Sequence, residues 1–208
     1  METLNELALK YGTDKSSETH YYTLMYEDLL KNKTVNNMLE VGLGSGASAL
    51  MWSEYLPEAN IYIMEYFDQE NKEKWNSPQI SAHNLTILQG DSTKMESWKE
   101  VPYELDFIVD DGSHYPNDQI LTFQNGFNHL KSHGLYFIED THCNFSLQYT
   151  GGKDVIYNWA LNLVFNQQLP KYGNTDGNFY FLRGLMPIPI RDIYAYHFYK
   201  SVIVFEKA

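Results

Sequence analysis

Apolar residues fall in short runs separated by longer amphipathic stretches, a pattern that predicts strands alternating with helices. Met38 to Val41 is such a run ending in glycines, and Ala47 to Leu56 reads as the helix that follows. Three further strands are expected: Ile61 to Met64, ending at Glu65; Leu85 to Leu88, ending at Gly90-Asp91; and Leu105 to Val109, ending at Asp110-Asp111. Pro116 opens a helix with Ile120, Phe123, Phe127 and Leu130 on one stripe. Leu135 to Ile138 is a fifth strand, ending at Glu139-Asp140. Residues 154 to 168 read as helical, and Ile193 to Phe198 with Val202 to Phe205 as a closing hairpin. Residues 1 to 31 read as two short helices around a Gly-Thr-Asp-Lys turn. The series predicts a parallel α/β sheet with an antiparallel end. Each of the five strands ends in glycine or a carboxylate, at the edge where open α/β sheets bind ligands.

Composition narrows the partners. The charge sum of 15 − 27 = −12 includes only two arginines, Arg183 and Arg191, and no basic cluster that would displace counterions from nucleic acid. An anionic membrane surface would repel the chain. The single cysteine, Cys143, excludes an intramolecular disulfide and a Cys-rich zinc site. Met1 to Lys10 lacks the apolar core of a signal peptide, and no run approaches the ~20 apolar residues of a transmembrane helix. The expectation is a soluble cytoplasmic protein with a small-molecule partner, its oligomeric state open. With 208 residues, one domain (1–208) is expected.

Two ends of the predicted rim carry chemistry. At the first, Glu40-Val-Gly42-Leu-Gly44-Ser45-Gly46 joins a strand to its helix, where glycines permit a tight turn and close approach of a ligand to the backbone. Glu40 precedes the loop, placed to hold an ammonium or to order the turn. Glu65, about twenty residues on, can take both hydroxyls of a ribose. Asp91, followed by Ser92, can accept a hydrogen bond from an adenine amino group. No basic residue lies in the loop to meet a pyrophosphate, so the set suits an adenosyl ligand without phosphates.

At the second end, Asp110-Asp111-Gly-Ser-His114 and Glu139-Asp140 close the fourth and fifth strands. Asp111, Glu139 and Asp140 can present three carboxylates to one point, a repulsion that a hard divalent cation such as Mg²⁺ or Ca²⁺ would relieve. The bland reading is a set of solvated strand-end acids or helix caps, and for Asp110 it weighs as much as a ligand-binding role. His114, three residues after Asp111, is placed to act as a general base, the alternative being a cap on the Pro116 helix. Asn144 to Gly152 reads as a lid, with Phe145, Tyr149 and a Gly-Gly hinge.

The glycine loop with Glu65 and Asp91 resembles the class I S-adenosylmethionine-dependent methyltransferases from about Asn37 onward. Tyr11-Gly-Thr13-Asp14-Lys15, His20-Tyr-Tyr-Thr23, Tyr26-Glu27, Asp111-Gly-Ser-His114 and Glu139-Asp140 resemble, more narrowly, the metal-dependent macrolide sugar O-methyltransferases of the mycinamicin and spinosyn tailoring type. The resemblance implies a Rossmann-like, mostly parallel, seven-stranded sheet with an antiparallel last strand and helices on both faces. It implies that Glu40, Gly42, Gly44, Ser45, Glu65, Asp91, Ser92 and Asp110 meet the S-adenosylmethionine donor. Residues 1–35 would form a helical segment whose Thr13-Asp14-Lys15 closes over that donor, ahead of a core at 36–208. Asp111, Glu139 and Asp140 would ligate Mg²⁺, with Asp111 and His114 in the catalytic role and His114 as base. The expected reaction is methyl transfer to a hydroxyl of a sugar or a glycosylated or polyketide natural product. The chain departs from the mycinamicin type in lacking room for a separate N-terminal domain, so acceptor recognition is expected from its own loops or a second subunit. The alternatives are a catechol-type O-methyltransferase, an NAD-dependent oxidoreductase, and a non-catalytic donor-binding protein.

Overall fold

The computed structural model describes residues 2–66, 84–150, 154–168 and 192–208. Helix α1 (Leu4–Tyr11) starts at a capping box in which the Thr3 hydroxyl and the Glu6 carboxylate satisfy each other's backbone amides. It buries Leu4, Leu7 and Ala8, the stripe expected of a helix lying on a core. Helix α2 (Tyr22–Leu30) follows, and then β1 (Asn37–Val41), α3 (Ala47–Tyr55) and β2 (Asn60–Glu65). Next come β3 (Leu85–Gln89), β4 (Leu105–Asp110), α4 (Pro116–Gly126) and β5 (Leu130–Ile138). After a short helix α5 (Leu147–Thr150), α6 (Ile156–Gln168) and the hairpin β6 (Ile193–Phe198) and β7 (Ile203–Lys207) complete the described elements.

The strands form one seven-stranded sheet in the order β3-β2-β1-β4-β5-β7-β6. The first five run parallel, and β7 runs antiparallel to both neighbours. All six residues of β4 are buried, the near-continuous burial expected of a strand covered on both faces. One core, beneath α1, α2 and α3, takes the side chains of Met38, Ile61, Phe107, Val109 and Phe137. The other takes Leu39, Ile108, Tyr136 and Ile138, together with Phe123 of α4 and Trp159 of α6. The expected mostly parallel sheet with helices on both faces is therefore present.

One boundary differs from the sequence pattern. The Pro116 stripe predicts helix through Leu130, but α4 ends at Gly126, a 3₁₀ turn covers Phe127–His129, and the strand already begins at Leu130. The polar stretch Lys131 to Gly134 hides this early part of β5, which pairs irregularly: Leu130 lies opposite Leu105, and regular pairing resumes only at Leu135. Among the described residues no helix is long and apolar enough to cross a membrane.

Candidate active site

The parallel ladder runs one step past the strands and fixes the rim. The Gly42 amide donates to the Met64 carbonyl at 2.9 Å, Asp111 to Val41 at 3.0 Å, and Glu139 to Asp110 at 3.0 Å. Gly42, Asp111 and Glu139 thus stand side by side, each the first residue after its strand. Gly42 has φ +92°, and a Cβ there would come within 2.1 Å of the Asp111 carbonyl oxygen. Glycine is therefore required where the loop crosses the end of β4.

A cleft of about 930 Å³ opens above this rim. Its walls include Thr13 and Asp14 from the α1–α2 loop, Gly42, Gly44 and Ser45 from the glycine loop, and Glu65, Asp91 and Ser92. Asp110, Asp111, His114 and Asp140 close the far side. Glu65 Oε2 accepts the Leu43 amide at 2.7 Å, so this carboxylate also ties the loop to β2. Asp91 Oδ1 accepts both the amide and the hydroxyl of Thr93, at 2.9 and 2.6 Å. The Ser92 hydroxyl pairs with that of Thr122 at 2.8 Å. Asp110 reaches the cleft only at its edge, being 2% exposed, and burial raises its carboxyl well above the usual range.

The reacting end splits into two groups, because successive strand residues face opposite sides of a sheet. Glu40, Asp111 and Glu139 share the face carrying Val109 and Phe137. There the Lys15 ammonium meets all three: it bonds to Glu139 Oε2, lies 2.5 Å from Asp111 Oδ2, and lies 3.7 Å from Glu40 Oε1. Burial disfavours the charged lysine, yet Asp111, Glu139 and Glu40 together more than offset it and hold its pKa well above the ordinary value. Burial pushes the Glu40 carboxyl up to about 7, with Lys15 the strongest opposing influence. The Tyr26 hydroxyl donates to Glu139 Oε1, Ser48 donates to Glu40 Oε2 at 3.0 Å, and Gln119 Nε2 donates to the Glu139 carbonyl at 2.8 Å.

Asp140 leaves this group. It adopts φ +52°, which turns its carboxylate toward His114, whose Nε2 lies 3.7 Å from Asp140 Oδ2. His114 also has positive φ, +60°, so two non-glycine residues at this point hold a sparsely populated backbone conformation. The Tyr22 hydroxyl donates to Asp140 Oδ1 at 2.6 Å, and His142 Nδ1 lies 3.8 Å from the same oxygen. Asp111, His114 and Asp140 offer one ligand atom each, all within 4.8 Å of one another, a spacing that would accommodate a metal ion.

Two placements differ from the sequence expectation. The trio of carboxylates is divided: Asp111 and Asp140 meet at the cleft with His114, whereas Glu139 is fully buried against Lys15 and Tyr26. Lys15 is only 1% exposed and lies beneath the cleft rather than in its wall, because strand alternation presents it with three inward carboxylates. His114 does not cap α4, whose N-cap, Tyr115, makes no side-chain cap bond. Instead Ser113 donates to Asp118 in the first turn, at 2.7 Å. Of the lid, Asn144 is buried and its Oδ1 accepts the Ile156 amide at 3.0 Å, which ties the segment to α6; Gly151 and Gly152 lie outside the described residues. Tyr22, Tyr26 and Gln119 were not assigned to the site from sequence; the tyrosines stand in the His20-to-Glu27 motif, and nothing local marks Gln119.

The profile of a methyltransferase-domain family matches residues 39–141. L-olivosyl-oleandolide 3-O-methyltransferase from Streptomyces antibioticus is 32% identical over 157 residues, covering 71% of this chain and 39% of that protein. Mycinamicin VI 2''-O-methyltransferase from Micromonospora griseorubida is 28% identical over 150 residues, covering 66% of this chain and 35% of that protein. The chain thus spans well under half the length of these curated relatives. Among solved structures, the MycE methyltransferase of the mycinamycin biosynthetic pathway, in complex with Mg and SAH, superposes with a TM-score of 0.78. That match is 24% identical and covers 99% of this chain and 54% of the other, a likeness of fold.

Proposed function

The chain carries a class I S-adenosylmethionine-dependent methyltransferase domain, and from that premise we propose an O-methyltransferase acting on a hydroxyl of a sugar or glycosylated natural product with the help of Mg²⁺. The observation that carries this reading is the meeting of two sets of residues in one cleft: the glycine loop with Glu65 and Asp91, and Asp111 with His114 and Asp140. Glu65 would take the ribose hydroxyls and Asp91 the adenine amino group of the donor. Residues 1–35 would act as a segment of the single 1–208 domain that closes the donor side through Thr13 and Asp14, which lie in the cleft wall.

The residues present fit a hard divalent ion. Asp111 and Asp140 offer carboxylate oxygens within 4.8 Å of each other and of a His114 ring nitrogen, and oxygen donors favour Mg²⁺ over soft metals. Asp111 and Asp140 would hold it; Glu139 would join them only by giving up its bond to Lys15. When bound, the ion would lower the pKa of the acceptor hydroxyl and orient it. His114 would take the hydroxyl proton as the oxygen–carbon bond forms and the carbon–sulfur bond breaks with its electron pair going to sulfur. Tyr115, 44% exposed, follows His114 in the chain, and Phe145, 61% exposed, follows Asp140 by five residues; aromatic faces so exposed would suit the C–H faces of a sugar. That the name of the L-olivosyl-oleandolide relative specifies a glycosylated acceptor supports a sugar over a phenol.

Chelation tests the ion, with turnover expected to vanish and to return with Mg²⁺; full activity in chelator removes the ion from the reading. His114→Ala is expected to lose turnover while S-adenosylhomocysteine still binds, and a near-normal rate removes His114 as base.

A further inference from the structure

Lys15 is a lysine where burial is almost complete, in a chain whose other described lysines reach the surface or its margin. Burying an ammonium is costly unless it is paired and hydrogen-bonded. Here it has direct partners from three strand ends: Glu40 after β1's third residue, Asp111 just beyond β4, and Glu139 just beyond β5. Those side chains are themselves 0%, 23% and 1% exposed, and Asp140 adds a fourth carboxylate through its shared site with Asp111. The one ammonium thus faces carboxylates from three strands, and Asp111, the most exposed of them, is the one that also opens to the cleft. The same N-terminal segment supplies Tyr26 to Glu139 and Tyr22 to Asp140, so every carboxylate proposed for the metal is gripped from the loop and helix at 12–30.

We infer that Lys15 is a positioning residue: its ammonium is a fixed internal cation that holds Asp111 and Glu139 at one point behind the place where the divalent ion would enter, between Asp111 and Asp140. The inference rests on the methyltransferase reading for the identity of the ion and the turnover, but its geometry does not. Lysine suits the role as a compact charge on a flexible stem, and a second, exchangeable cation is then needed only at the cleft side. Removing the ammonium would leave its partners buried and uncompensated. A divalent ion would then be drawn in more strongly but placed wrongly for the reaction.

The test uses the full chain with Lys15→Met, Lys15→Arg and the double variant Lys15→Met/Glu139→Gln, with Mn²⁺ as the probe. In chelator, Lys15→Met is expected to melt at least about 5 °C below the parent. Mn²⁺ is expected to restore most of that loss and to bind about tenfold more tightly, by electron paramagnetic resonance. The double variant is expected to recover stability without Mn²⁺, and Lys15→Arg to keep the parent's Mn²⁺ affinity. Turnover in Lys15→Met is expected to fall in kcat with the donor KM unchanged. An unchanged melting temperature with unchanged Mn²⁺ affinity overturns the inference. So does loss of S-adenosylhomocysteine binding at parental Mn²⁺ affinity, which assigns Lys15 to the donor site. If Lys15→Met does not fold, the double variant decides: a folded double variant supports the internal cation, and an unfolded one overturns it. Absence of methyl transfer by the parent, with the Mn²⁺ and stability results intact, removes the methyltransferase reading alone.

Discussion

Gly42→Ala strikes the crossing on which the site depends, where the glycine loop passes the end of β4. The added Cβ would lie 2.1 Å from the Asp111 carbonyl oxygen, 2.9 Å from its carbonyl carbon and 3.2 Å from Gly112 Cα. Every one of these atoms is backbone, so the clash cannot be relieved by a rotamer. The residue also has φ +92°, which costs an L residue roughly 1–2 kcal/mol. Overpacking adds about 1–3 kcal/mol, for a combined loss of roughly 2–5 kcal/mol. In a chain of this length each kcal/mol lowers the melting temperature by about 2–4 °C, so a fall of about 4–20 °C is expected by calorimetry. Gly44→Ala is the control: its φ is +51°, and a Cβ there meets nothing within 4 Å. It carries the conformational cost alone, about 1 kcal/mol or a few degrees. Titration with S-adenosylhomocysteine is expected to fail for Gly42→Ala, because the loop and the Asp111 peptide must part. If the two variants melt together and bind the ligand equally, the close crossing is not what demands glycine at this position.

Three further outcomes follow from single contacts. Burial raises the Glu40 carboxyl from its ordinary 4.5 to about 7, so the folded chain binds its proton more tightly than the unfolded one. This group's contribution to stability is therefore greatest below its unfolded pKa and is lost as pH rises through the folded value. Glu40→Gln should flatten that part of the stability profile between 4.5 and about 7 in denaturant titrations, and a profile parallel to the parent's would refute the burial argument. Tyr22→Phe removes the 2.6 Å bond to Asp140 while sparing the packing of the ring. Unfolding free energy should change by about 1 kcal/mol, with a larger drop in kcat; equal kcat denies that tyrosine any role in aiming Asp140. Asp106→Ala leaves the Asn36 and Asn37 amides, now bonded to Oδ2 at 2.7 and 2.9 Å, without an acceptor. A loss of roughly 2–4 kcal/mol is expected from chemical denaturation, and a loss below 1 kcal/mol shows that water replaces the carboxylate.

The order of strands and the rim were legible because apolar runs end at glycine or acid in regular succession, and parallel pairing turns that succession into a line of neighbours. Gly42, Asp111 and Glu139 do stand in that line. What the line does not state is which face each side chain takes. Counting alternation back from Val109 and Phe137 would have placed Asp111 and Glu139 on one face and separated Glu139 from Asp140. The left-handed backbone at Asp140 and His114 then brings those two together; Asp and His tolerate that conformation better than most residues, but the preference is too weak to single out these two positions. Lys15 was expected over the donor, as part of the Thr13-Asp14-Lys15 turn. Its burial depends on contacts to positions 96 and 124 residues away, which nothing in the local sequence states. The early start of β5 was hidden because Lys131 to Gly134 is polar and pairs irregularly.

The proposed reaction joins a sulfonium donor to a sugar hydroxyl in this cleft. Incubating the protein with methyl-labelled S-adenosylmethionine, Mg²⁺ and parallel panels of glycosylated and phenolic acceptors tests it most directly. Label is expected on a sugar hydroxyl, with none after chelation and none with His114→Ala. Label on the phenolic panel alone, or transfer undiminished in chelator, would contradict it.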